Sequence, residues 1–184
     1  MGERQDAPVF RPYFSKPHFR KAAMTQLATD PLTLVHLAIS LAAILTGLPV
    51  LAAMLKGRTP VTLTGIFLGL TVLTSVTGFL FHNTTITPGM VVGAISLIVL
   101  AVALFALYGK HLAGRWRTAY VITATLALYL NAFVLVIQSF IKVPALHALA
   151  PAIPPAGPIF GAVQGVVLIA FLIAGWRAVK AVRA

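Results

Sequence analysis

Charge is scarce in this sequence. Only 9% of its 184 residues are Asp, Glu, Lys or Arg, where a soluble domain needs roughly a quarter to cover its surface. A chain so poor in charge requires an apolar solvent around most of its surface. Acidic residues are scarcer still: there are three, Glu3, Asp6 and Asp30, and none follows Asp30. Carboxylates within the bilayer are the usual relay of proton pumps and ion-coupled transporters. Their absence excludes paired-carboxylate catalysis from the rest of the chain and argues against proton-coupled transport. Cysteine is missing altogether, which removes disulfides, thiolate metal sites and dithiol redox chemistry. There is no P-loop, HExxH or GxSxG pattern. Residues 1–30 lack the compact apolar stretch of a signal peptide, and no lipidation motif is visible.

What the chain has in quantity is apolar: 59% of its residues are hydrophobic. They fall into runs of about 20, the length that crosses a ~30 Å hydrocarbon core as a helix. Punctuation divides them. Asp30-Pro31, Thr59-Pro60 and Thr87-Pro88 each place a capping oxygen before a proline, and Gly157-Pro158 is a weaker version. Proline suits the first helical position, where its missing N–H would be unpaired in any case. Gly57, Asn83 and Gly109 follow apolar runs and are suited to closing a helix in the left-handed conformation.

The expected fold is an all-α membrane protein, a bundle of five transmembrane helices with an interfacial N-terminal arm. The arm covers 1–30, and the transmembrane domain covers 31–184 with spans near 31–55, 60–82, 88–109, 117–142 and 158–180. Pro49, in Thr46-Gly47-Leu48-Pro49, is expected to kink the first span rather than break it. A short helix fits around Ala145–Ala150, but Pro144, Pro151, Pro154 and Pro155 keep it from being a span. No internal repeat stands out, and an odd count argues against a simple inverted duplication.

The net charge of +11 would suggest nucleic acid in a soluble protein. Here the cations occupy loops and tails, where orientation signals and lipid headgroups account for them, so no nucleic-acid partner is expected. Lys56, Arg58, Lys110, Arg115, Arg117, Arg177, Lys180 and Arg183 fall at one face, while Lys142 is alone near the other. This favours the N-terminus outside and the C-terminus in the cytoplasm, most simply of a bacterial inner membrane. Arg11, Lys16, Arg20 and Lys21 in the tail run against it. Trp116, Trp176, Tyr108 and Tyr120 are expected to form a belt at the basic interface. In the tail, Phe10, Tyr13, Phe14 and Phe19 alternate with basic residues, as in an arm lying on headgroups or docking on a partner subunit.

Chemistry is left to histidines, amides and hydroxyls. Tyr120, Asn131, Gln138 and Lys142 fall on one stripe of the fourth span, and Thr64, Thr71, Ser75, Gly78 and His82 on one face of the second. His36, His82, Gln138 and Gln164 are expected at comparable depth in the outer half of the bilayer. With Asn131 they form the candidate pocket for a ligand or cofactor. The plainer expectation is that they hydrogen-bond between helices, at about 0.6 kcal/mol each. Haem b or a quinone headgroup is the specific cofactor reading, with His36 and His82 as axial ligands on two helices. His147 is on the same side, His111 on the other, and His18 in the tail. No metal site is expected, since cysteines and nearby carboxylates are wanting.

Glycines also recur at four-residue spacing: Gly65 with Gly69, Gly89 with Gly93, and Gly157 with Gly161 and Gly165. Such spacing lets helix backbones approach closely, within the chain or against another subunit. Three functions follow: a non-enzymatic structural or assembly subunit of a membrane complex, a haem- or quinone-associated redox protein, or a small-molecule or lipid transporter. Besides the bilayer, the partners implied are other membrane subunits or further copies of the chain.

Overall fold

The computed structural model of this protein describes residues 31–81 and 87–183. Its elements are α1 (Pro31–Met54), α2 (Val61–Gly78), α3 (Pro88–Leu104) continuing into a π-helical turn (Phe105–Gly109), α4 (Arg115–Lys142), a short α5 (Pro144–Leu149) and α6 (Pro158–Arg183). The described chain is all-helical, and five of these helices are long and apolar enough to cross a membrane. The N-terminal arm, His82 and Asn83 lie outside the described residues. Packing divides the chain between Val35 and His36. The described part of the first unit is the opening turn of α1, and the second unit, His36–Ala184, holds the rest.

Within the second unit α4 is the central helix: α3, α5 and α6 pack on it, and α2 lies against both α3 and α4. Arg117 meets Gly57, Arg183 meets Thr118, and Arg177 and Lys180 share a groove with Leu55, so these cations collect at one end, the basic end. His36 and Lys142 mark the other.

The main apolar core is confined to the basic half. It is built from Val50 and Met54 of α1, Phe67 and Leu68 of α2, Leu100 and Ala103 of α3, Tyr120 to Leu128 of α4, and Ala178 of α6. Towards the His36 end the buried side chains of α2 are hydroxyls: Thr71, Ser75 and Thr77.

Several helix ends depart from expectation. Thr87 caps α3 through its hydroxyl, which accepts from the Met90 N–H at 3.3 Å, and Pro88 takes the first position. Thr59 does not cap α2. Pro60 occupies the capping position without a side-chain bond, and the Thr59 hydroxyl is buried without a partner. α2 ends at Gly78 rather than near 82, because Phe79 and Leu80 donate to Val76 and Thr77 and tighten the last turn. Gly57 closes α1 with φ +67°, and Arg58 N–H reaches back to Ala53 O at 3.0 Å.

Gly109 is not a left-handed closure. The wider π turn carries Lys110 N–H to Phe105 O, and positive φ falls later, at His111, Leu112 and Gly114. Glycine is needed at 109 for space, since a Cβ there would stand 2.8 Å from Phe105 Cδ2. Pro49 sits inside an unbroken α1.

Candidate functional site

The polar side chains inside the bundle divide between bonds to their own helix, as at Ser75 and Thr123, and bonds that hold helices to one another. Tyr120 is fully buried, and its hydroxyl donates to Thr64 Oγ1 at 3.2 Å, tying α4 to α2. Its expected place in the interfacial belt is therefore corrected. Tyr120 is far enough inside the central helix that its ring fills the core, whereas Tyr108 and Trp176 stay exposed. Further along α4, Asn131 Nδ2 donates to Thr71 Oγ1 at 3.3 Å, and that hydroxyl donates onward to Phe67 O at 2.8 Å. Towards the His36 end, His36 Nδ1 lies 2.8 Å from Thr77 Oγ1 and joins α1 to α2. The Thr77 hydroxyl also approaches Leu73 O at 2.8 Å. If it donates there, it accepts from an Nδ1–H and leaves Nε2 of the imidazole as the acceptor. Phe81 meets the imidazole edge-on at 5.2 Å.

α6 is fixed to α4 by aromatic pairs and one amide. Tyr129 contacts Phe171 at 5.8 Å and Phe140 contacts Phe160 at 5.4 Å between ring centroids, both in edge-to-face geometry. Between them Gln164 Nε2 donates to Phe133 O at 3.1 Å, while its Oε1 is buried without a partner.

The expected pocket residues thus occupy separate contacts: His36 with Thr77, Asn131 with Thr71, and Gln164 with Phe133. Among the described residues no hydrogen bond joins any two of His36, Asn131, Gln138 and Gln164. Gln138 is exposed and makes no hydrogen bond among the described residues. Along the stripe of α4, burial falls from Tyr120 through a half-buried Asn131 to exposed Gln138 and Lys142. His147 Nδ1 lies 3.2 Å from Phe140 O, at the start of the next turn of chain. No group of three metal-ligating side chains occurs among the described residues.

The glycines divide in the same uneven way. A Cβ on Gly65 would stand 2.6 Å from the Tyr108 hydroxyl, and one on Gly93 would stand 3.3 Å from Phe79 Cε2. Gly89 meets only Thr87 at 3.8 Å, and Gly69, Gly157, Gly161 and Gly165 have nothing within 4 Å. A contact as tight as that at Gly65, and one closed on two sides, is at Gly47, where a Cβ would lie 2.6 Å from Leu128 and 2.8 Å from Phe67. The sequence marked that position only for Pro49 two residues on, and its signal was a small residue one turn before the core residues Val50 and Leu51.

The chain matches no family model, no curated protein and no solved structure. What can be said of its role rests on its own residues.

Proposed function

We propose that this multi-pass membrane protein is a non-enzymatic subunit that stabilises or assembles a larger membrane complex, with its basic end towards the cytoplasm. The observation that carries the reading is the state of α6. Of its 26 residues only Ala178 is buried. Its outer face carries Val166, Ile169 and Leu172, and Gly161 and Gly165 stand open beside them. Small residues at that spacing favour close helix contact in lipid, and no described helix of this chain occupies the position. The polar groups that might have served chemistry are engaged instead in Tyr120–Thr64, Asn131–Thr71 and Gln164–Phe133 contacts, which rigidify the surface offered.

The test places a photoreactive diazirine side chain on the open face. In native membranes the residue replacing Val166 on α6 is expected to crosslink to a second protein, while one replacing Leu45, equally exposed on α1, is expected to crosslink to lipid alone. Purification in mild detergent should return a complex of defined stoichiometry. Lipid adducts alone at both positions together with a lone monomer would overturn the reading.

A further inference from the structure

The geometry points to a binding site for the phosphate of an anionic phospholipid, in the groove between the start of α4 and the end of α6. The groove has a volume of about 670 Å³ and is lined by Gly114, Arg115, Thr118, Ala119, Ile122 and Arg183. Its mouth is cationic and its inner wall is apolar. Arg183 Nε donates to Thr118 Oγ1 at 3.5 Å, a long bond that holds the guanidinium across the groove. Arg115 lines the same space and has no hydrogen-bond or ion-pair partner among the described residues. Neighbouring Arg117 differs, since it donates to Gly57 O at 2.6 Å.

Two guanidiniums in one groove repel each other, and no acidic side chain among the described residues offsets this. No acidic side chain occurs after Asp30, and the first turn of α4 contains none. The positive end of the α4 dipole adds to the field at the same place. Among the described residues no anionic side chain supplies the counter-charge, and the groove stands open to one from a ligand. A phosphate fits best, because guanidinium groups bind it through paired N–H donors.

The source follows from what lies deeper. Ile122, on the next turn of α4 and 51% exposed, and Ala119 continue the groove towards the hydrocarbon. That surface suits an acyl chain and offers nothing to a free ion. Basic pockets between helices at this membrane level are suited to such headgroups.

The full chain, in a neutral detergent, is titrated by native mass spectrometry with phosphatidylglycerol, phosphatidylcholine, inorganic phosphate and polyglutamate. Phosphatidylglycerol is expected to be retained in preference to phosphatidylcholine. Arg115→Gln with Arg183→Gln should weaken it about tenfold. Arg177→Gln with Lys180→Gln, which line a separate groove with Leu55 and Trp176, should change it by less than about twofold. Should the first pair fail to fold, Arg183→Gln alone, at an exposed position outside the core, is expected to weaken retention about threefold. Equal losses in the two pairs would show diffuse surface charge and overturn the site. Competition by inorganic phosphate at equal concentration would assign it to a free anion, and stronger competition by polyglutamate to an acidic protein segment. Either result overturns the lipid assignment.

Discussion

Gly47 of α1 faces Leu128 of α4 with no room for a side chain: a Cβ at 47 would lie 2.6 Å from Leu128 Cδ1. Phe67 of α2 closes the other side at 2.8 Å, so three helices converge on a hydrogen atom. Gly47→Ala is expected to destabilise the protein by about 1–3 kcal/mol, the usual cost of overpacking, despite the helix propensity that alanine adds. Gly69→Ala, on the exposed face of α2 with nothing within 4 Å, should instead gain up to ~1 kcal/mol. Reversible unfolding in mixed micelles measures both, and equal effects at the two positions would contradict the packing described.

The Tyr120–Thr64 bond is testable by a double-mutant cycle. Tyr120→Phe and Thr64→Val should show a coupling energy of about 0.6 kcal/mol, the average for hydrogen bonds between membrane helices. The same cycle on Asn131→Ala and Thr71→Val should also be positive. Additive effects in either cycle would mean that the bond contributes nothing.

Gln164→Leu is expected to leave the isolated protein as stable as before, or slightly more so. It gives up the bond to Phe133 O, but it also removes a buried oxygen without a partner, whose desolvation costs about 1–3 kcal/mol. If a second subunit supplies the missing donor, the same variant loses the complex while keeping the monomer. Thermal unfolding and native electrophoresis together distinguish these results.

Amide hydrogen exchange should divide the bundle along its length. Residues 118–128 of α4 and 61–70 of α2 lie within or beside the apolar core, and residues 73–81 and 131–142 lie beyond it. The second pair of segments is expected to exchange faster, because local opening follows the density of buried apolar contacts. Uniform protection along α4 would count against a core confined to one end.

Much of the fold was legible because its signals are one-dimensional. Apolar runs of spanning length and the Thr87-Pro88 start locate helices without knowledge of their neighbours. The central position of α4 was not legible, since helix order in space leaves no mark on such patterns. That order decides the fate of Tyr120. A tyrosine near the end of a span is equally suited to a headgroup belt or to a buried bond, and only the neighbouring α2 with Thr64 selects the second. Thr59-Pro60 shows the opposite difficulty. Its residues suit a cap, but the helix begins one position later and the hydroxyl is stranded. Gly47 carried two messages at once, and the proline two residues on hid the close approach.

The one-ended core gives the two leaflets of the bilayer different neighbours. On the basic side, acyl chains meet a tightly packed wall that their length and saturation can do little to alter. On the His36 side, they meet helices joined by isolated hydrogen bonds, a few aromatic pairs and half-buried faces, so the lipids themselves have more of the packing to complete. The spacing of the helices there should follow the composition of that leaflet alone, making one half of the molecule a fixed frame and the other responsive to its solvent.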